Sequence, residues 1–325
     1  MNNDWLDLFE KMQKGSVRAL SRLVSRVENR DPGWMEAMRK IYPLAGKARI
    51  IGITGSPGAG KSTLTNGIAR ELVLRGFKVG IIAVDPSSPF SGGSLLGDRV
   101  RMKDLWNLDE VFIRSMATRG ALGGLNQSAR DVAKILDASG KDFVLIETVG
   151  VGQDEVEVVR AADLVLVVCV PGQGDGVQAL QAGIMEIADI FVVNKADREG
   201  AAEVFLDIQA MLDLDSNQEA PRPPILKTVA NQGEGLVALV DTFLDLLTSS
   251  DHRKVWQTVR IRNELVGLLE KQLLGLILDH WKKDGNLEKA VEQIERGERD
   301  PYSIVRERLD RLQRYVGEDD FSGNG

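Results

Sequence analysis

Gly55-Ser56-Pro57-Gly58-Ala59-Gly60-Lys61-Ser62 matches the pattern G-x-x-x-x-G-K-[ST] at every fixed position, and its reading decides the fold. Glycines let a loop curl until successive backbone N–H groups point inward, a concavity that suits phosphate oxygens. A helix that starts directly after such a loop adds free N–H groups and the positive end of its dipole. Lys61 can bring a point charge to the β- and γ-phosphates of a nucleotide, and the Ser62 hydroxyl can bind Mg2+. The flanks agree. Arg49-Ile50-Ile51-Gly52-Ile53-Thr54 reads as a buried strand, and residues 63–75 read as a helix. The competing reading is an ordinary glycine-rich turn; strand before and helix after weigh against it.

Outward from this loop, strand-like apolar runs alternate with helical stretches between residues 48 and 248. The runs are 50–54, 79–84, 111–113, 143–146, 164–170, 190–193 and 225–228. Most are continuously apolar, as expected of strands covered on both faces. The alternation predicts an α/β fold, a doubly wound and mostly parallel sheet. Ligands of such sheets sit at the carboxyl ends of the strands, and every polar motif below begins where a strand ends.

Residues 1–46 read as helical. Trp5, Leu6, Leu8, Phe9 and Met12 share one side, Ser16 suits the cap of a helix over 17–27, and Asp31-Pro32-Gly33 breaks the pattern. From 251 the chain turns helical and charged. Val255, Val259, Ile261, Leu265, Leu268, Leu269, Leu273 and Leu276 recur at three- and four-residue steps, and Asp284-Gly285-Asn286 interrupts them. A last helix is expected over 301–316, with Pro301 in its first turn. The expected division is an N-terminal helical segment (1–46), a nucleotide-binding domain (47–250) and a C-terminal arm (251–325). That arm is longer and more charged than covering a sheet requires, which suits dimerisation.

Composition narrows the classes. The 325 residues are 43% hydrophobic and 27% charged, an ordinary globular balance. A net charge of −7 gives no nucleic-acid footprint, and the five tryptophans show no stacking pattern with basic residues. The single cysteine, Cys169, excludes an internal disulfide framework and lies within an apolar run, as a small core residue does. Two histidines and one cysteine leave little material for zinc. The N-terminus lacks a basic region followed by an apolar core, and no apolar run approaches the ~20 residues that span a bilayer. The expectation is a cytoplasmic protein without a membrane or nucleic-acid partner.

Further motifs sit at strand ends. Asn194-Lys195-Ala196-Asp197 is an N-K-x-D sequence. A carboxylate there accepts from N1–H and the N2 amine of guanine, and adenine would leave it unpaired. Lys195 would lie along the base and the loop. Glu147-Thr148-Val149-Gly150 stands where D-x-x-G is usual, and its longer carboxylate can reach Mg2+ directly or through water. Asp85-Pro86-Ser87-Ser88-Pro89 closes another strand. Asp85 can orient water or hold Mg2+ through its shell; Asp98 is a second candidate metal ligand, and Arg99 either contacts phosphate or caps a helix. In Thr228-Val229-Ala230-Asn231, the Ala230 N–H can donate to guanine O6 although Val229 replaces the usual serine. Gly172-Gln173-Gly174-Asp175-Gly176 fits a turn or a mobile switch equally.

Together these residues resemble the MeaB/ArgK family of P-loop GTPases, whose human relative is the methylmalonic aciduria type A protein. The resemblance spans most of the chain. It rests on Gly55 through Thr63, Val84-Asp85-Pro86-Ser87-Ser88-Pro89, Gly97-Asp98-Arg99-Val100-Arg101-Met102, Glu147-Thr148-Val149-Gly150-Val151-Gly152-Gln153 and the N-K-x-D sequence. It implies a fold similar to signal-recognition and metallochaperone GTPases, binding of GTP, GDP and Mg2+, slow GTP hydrolysis, and homodimers through the C-terminal helices. It also implies a partner, an adenosylcobalamin-dependent acyl-CoA mutase, whose cofactor loading the GTPase gates and which it protects. One segment departs from the family pattern. In Gly174-Asp175-Gly176-Val177-Gln178-Ala179-Leu180-Gln181-Ala182-Gly183, Gly176 replaces Glu and Gln181 replaces Lys, removing a possible ion pair from the family's third switch. Lys61, Asp85 and Glu147 are the expected catalytic residues, with Asp85 or Glu147 orienting the water. A small-molecule kinase and a nickel metallochaperone are the alternatives. The first lacks an acceptor-binding sequence and the second lacks Cys and His.

Overall fold

The computed structural model describes residues 3–85, 105, 107–117, 124–148, 162–172, 187–214, 222–248, 250–283 and 285–319. Residues 86–89, Asp98, Arg99, residues 149–153 and the third-switch segment 174–183 lie outside them, as does the side chain of Asp85.

Seven strands form one sheet: β1 (Arg49–Gly55), β2 (Val79–Asp85), β3 (Val111–Ala117), β4 (Phe143–Thr148), β5 (Leu164–Cys169), β6 (Ile190–Asn194) and β7 (Ile225–Thr228). Their order is β3-β2-β4-β1-β5-β6-β7, and every pair is parallel. Every residue of β4, β5 and β6 is buried, the direct consequence of apolar side chains on both sides of each strand. Helices α4 (Lys61–Leu74) and α7 (Leu236–Thr248) cover one face over Ile51, Ile53, Leu145, Leu166 and Val192. Helix α5 (Gly124–Ala138) and helix α6 (Ala201–Leu214) cover the other over Val144, Ile146, Val167 and Phe191. The chain leaves β1 toward β2 but leaves its neighbour β5 toward β6. Adjacent strands departing in opposite directions open a crevice at their carboxyl ends, and the glycine-rich loop lies there.

The N-terminal helices α1 (Asn3–Gln13), α2 (Val17–Glu28) and α3 (Trp34–Ile41) join the core on the α5 side. Ser16 caps α2 by accepting from the Ala19 N–H at 3.3 Å. Arg30 pairs with Asp131 of α5 at 2.6 Å and lies 4.0 Å from the Trp34 ring. Strand β3 runs four residues beyond the expected 111–113. The extension carries Arg114, which an apolar pattern misses; at this sheet edge Arg114 pairs with Glu28 of α2.

Aspartates organise the amino end of the sheet. Asp142, Asp163 and Asp189 each directly precede a strand; Asp163 and Asp189 accept an N–H from the neighbouring strand, Ile50 at 2.8 Å and Val165 at 2.7 Å, and Asp142 accepts that of Lys78, the residue before β2, at 2.7 Å. Asp137, buried at the end of α5, accepts the N–H groups of Gly46, Lys47 and Ala48 that lead into β1. None of these four roles has a local sequence signature.

Contacts divide the chain into two compact units, residues 1–257 and 258–325. Helix α8 (Ser250–Lys283) crosses the division, and α9 (Asn286–Glu295) and α10 (Pro301–Asp319) complete the second unit. Helix α9 was not expected from the sequence; it begins after Gly285, whose φ of 63° turns the chain out of α8. Among the described residues of the second unit, Ala290 and Ile304 are the buried apolar ones, while Leu265, Leu269, Leu273 and Leu276 are exposed.

Candidate nucleotide site

The glycine-rich loop begins where β1 meets a steric limit. Gly55 has φ of 145°, and a Cβ placed on it would stand 2.2 Å from the Val168 carbonyl of β5. Only glycine lets the chain turn off β1 this close to its neighbour. Ser56 and Ala59 are buried, and Pro57 and Gly58 form the exposed tip. At the far end, Gly60 has φ of 86°, and a Cβ there would meet Asn194 Nδ2 at 2.5 Å. The first and last glycines are therefore set by two different strands, β5 and β6.

Helix α4 starts at Lys61, two residues earlier than expected, so Lys61 and Ser62 ride on its first turn. Lys61 is 5% exposed, and its Nζ donates to the carbonyls of Gly55 at 2.7 Å and Ser56 at 2.9 Å. The ammonium is thus folded into the loop that it serves. Ser62 Oγ donates to Glu147 Oε1 at 2.5 Å. Glu147 is buried near the end of β4, which pairs with β1 at Ile53. Thr148 Oγ1 donates to Thr54 Oγ1 at 3.1 Å, tying the same two strands through the next pleat. Thr63 points outward and is exposed.

Ser62 and Glu147 offer oxygen donors, the kind a small hard dication takes. Among the described residues no group of three or more His, Cys, Asp or Glu gathers around one point. A cation here would complete its shell from phosphate and water, the habit of Mg2+ and not of zinc or nickel.

The base side is built on Asn194, which is 2% exposed. Its Nδ2 donates to the Ala59 carbonyl at 2.9 Å, and its Oδ1 accepts from Thr228 Oγ1 and from the Ala230 N–H, both at 3.1 Å. One side chain therefore joins the loops after β1, β6 and β7. The Ala230 N–H, expected to donate to guanine O6, is bonded to Asn194 in this structure. Lys195 adopts a φ of 57° and its Nζ donates to the Gly58 carbonyl at 2.7 Å. Asp197 and Asn231 are exposed, and Val229 is buried with its N–H donated to the Glu234 carbonyl at 3.0 Å. The structure thus brings together Lys61, Ser62 and Glu147 on one side and Asn194, Lys195 and Ala230 on the other, joined through the glycine-rich loop. The bracing role of Asn194 was not read from the sequence, where the N-K-x-D pattern speaks only of the base.

Cys169, at the end of β5, is buried, and burial pushes its thiol up to about 12. It is a packing residue, as its apolar surroundings in the sequence suggested.

The family model for methylmalonyl Co-A mutase-associated GTPase MeaB matches residues 20–282. The chain belongs to this family. A Pyrococcus abyssi protein with GTPase in its name is 46% identical over 305 residues, covering 92% of this chain and 94% of that one. The Escherichia coli GTPase ArgK is 35% identical over 291 residues, covering 87% and 88%. Among solved structures, one described as LAO/AO transport system kinase superposes with a TM-score of 0.74 at 25% identity, covering 96% of this chain and 99% of that one. MeaB-family membership and the seven-stranded parallel sheet agree with the P-loop GTPase expectation. No described helix is long and apolar enough to cross a membrane.

Proposed function

We propose that the chain hydrolyses GTP with Mg2+ and uses the cycle to serve an adenosylcobalamin-dependent acyl-CoA mutase of the methylmalonyl-CoA mutase type. In this reading it gates loading of the mutase cofactor and protects the mutase, as a cytoplasmic homodimer. The observation that supports the nucleotide part is the joining of phosphate and base loops through Asn194 and Lys195. The family description supports the mutase partner. The exposed Leu265, Leu269, Leu273 and Leu276 support pairing through the C-terminal arm.

Hydrolysis of GTP is attack of water on the γ-phosphorus with departure of the β–γ bridging oxygen. Lys61 exchanges the carbonyls of Gly55 and Ser56 for β- and γ-phosphate oxygens, and backbone N–H groups of the loop bind the rest. Ser62 and Glu147 would hold the Mg2+, which supplies charge neutralisation at the phosphates. Asp85 or Glu147 orients the water. Asp197 selects guanine by accepting from N1–H and N2.

Single-turnover GTP hydrolysis with and without the mutase tests the whole reading. Expected are slow release of inorganic phosphate by the GTPase alone, a changed rate with the mutase, and a complex at micromolar protein. An unchanged rate without a complex refutes the partnership. Recovery of the γ-phosphate on a small-molecule acceptor refutes hydrolysis in favour of a kinase.

A further inference from the structure

Three hydrogen bonds beside the phosphate loop close into a ring. Lys61 Nζ donates to the Gly55 carbonyl at 2.7 Å, Ser62 Oγ donates to Glu147 Oε1 at 2.5 Å, and Thr148 Oγ1 donates to Thr54 Oγ1 at 3.1 Å. The bonds join three dipeptides, Thr54-Gly55, Lys61-Ser62 and Glu147-Thr148, and each dipeptide takes part in two of them. The ring thus ties together the end of β1, the first turn of α4 and the end of β4. Lys61, Ser62 and Glu147 have roles in the reading above, whereas Thr54 and Thr148 have none.

The two threonines lie behind the nucleotide side of the ring. Residues alternate between the faces of a strand. Ile53 of β1 belongs to the core on the α4 side and is paired with Glu147, which reaches Ser62 of α4 on that face. Thr54 and Thr148, each one residue further on, face the α5 side. In that row Thr148 is paired with Val84 of β2 and Thr54 with Val167 of β5, both members of the α5-side core. Both threonines are 0% exposed. Two valines would match this row in shape and bury no hydroxyl. The hydrogen bond is what the threonines add, and it stands at the last residue of β4 and the last but one of β1.

Nucleotide binding opens the other two bonds of the ring. Lys61 leaves the Gly55 carbonyl for phosphate oxygens, and the Ser62 hydroxyl turns to Mg2+. The bond between Thr54 and Thr148 uses no group that either ligand needs. We propose that Thr54 and Thr148 are positioning residues for the metal site: their bond holds the end of β4 against β1, so that Glu147 stays beside Ser62 after the ligands have drawn Lys61 and Ser62 into new bonds. This role rests on the reading in which Ser62 and Glu147 hold Mg2+.

The test uses the full-length protein as Thr148→Val, Thr54→Val, the Thr54→Val/Thr148→Val double variant, Thr148→Ser and Glu147→Gln. Each is titrated with a fluorescent, non-hydrolysable GTP analogue in EDTA and in Mg2+, and its urea midpoint is measured. The ratio of the two affinities is the Mg2+ enhancement. Loss of one net hydrogen bond predicts an enhancement roughly 5- to 10-fold smaller in Thr148→Val and in Thr54→Val, with affinity in EDTA unchanged. The double variant loses no more than either single one, since both remove the same bond. Thr148→Ser keeps the hydroxyl and the enhancement, although loss of a buried methyl lowers its urea midpoint. Glu147→Gln loses enhancement because a charged oxygen donor is gone. Wild-type enhancement in both single valine variants beside a weak Glu147→Gln overturns the role of the threonines and leaves Glu147 standing. Wild-type enhancement in Glu147→Gln overturns the reading on which the role rests. Enhancement that falls in step with the urea midpoint across all threonine variants, Thr148→Ser included, assigns the pair to packing and overturns the proposal.

Discussion

Replacing Asn194 by alanine separates the two halves of the nucleotide cleft. The side chain makes three hydrogen bonds, at 2.9, 3.1 and 3.1 Å, from a site that is 2% exposed. At about 1 kcal/mol net for each, the loss is about 3 kcal/mol, and burial of the stranded Thr228 hydroxyl and Ala230 N–H places the value toward the upper side. A loss of that size lowers the folding constant roughly 150-fold. With a urea dependence of about 2–3 kcal/mol per M for a unit of this size, the unfolding midpoint falls by about 1–1.5 M. GTP and GDP affinity should fall together, because the braced loops serve the base and the β-phosphate, which both nucleotides carry. Asn194→Asp provides the control. It keeps the acceptor for Thr228 and Ala230 but turns an oxygen toward the Ala59 carbonyl, so it should be at least as unstable as the alanine variant near neutral pH. Urea unfolding followed by circular dichroism and titration with a fluorescent guanine nucleotide measure both effects. A midpoint shift corresponding to less than about 0.5 kcal/mol, with nucleotide affinity unchanged, would refute the bracing role.

Other perturbations separate base recognition, linkage and packing. Asp197 is exposed, so Asp197→Asn should leave stability within about 0.5 kcal/mol while weakening GTP roughly 100-fold and admitting xanthosine nucleotides; competition binding decides. Asp137→Ala strands the N–H groups of Gly46, Lys47 and Ala48 and should cost about 2–4 kcal/mol in thermal unfolding, with GTP affinity unchanged in the folded protein. Burial raises the Cys169 thiol from an ordinary value of 9.0 to about 12. The folded state therefore favours the neutral thiol. That contribution to stability is complete below pH 9 and is lost as pH rises from about 9 toward 12. Mass spectrometry after iodoacetamide treatment at pH 8 should find Cys169 unmodified in the native protein and alkylated in urea; rapid native alkylation would contradict the buried, neutral thiol.

Much of the fold was legible because its signals are local. Strand β1 (Arg49–Gly55), the glycine-rich turn and a helix from Lys61 are contiguous, and each obeys preferences carried by its own residues. The seven apolar runs became the seven strands for the same reason. Strand β3 was only half visible, since its second half carries Arg114, whose partner Glu28 lies in α2. Helix α9 carries the stripe Leu287, Ala290, Val291 and Ile294 at i, i+3, i+4 and i+7, a signal that was present in the sequence and passed over; of these only Ala290 is buried.

By itself the sequence determined the phosphate loop, the guanine motif, the carboxylates at strand ends and the parallel α/β plan, because contiguous residues carry each of them. Tertiary structure alone decided how they act together. Ser62 meets Glu147 across 85 residues, and Asn194 meets Ala59 across 135. Both meetings follow from the strand order, which sets β1 between β4 and β5 and places β6 next along the sheet. Pairing of strands is a non-local choice, made by burying the faces of all seven at once, and no single segment encodes it. The bracing role of Asn194 comes from that order, so the sequence names the residue and only the fold gives it its neighbours.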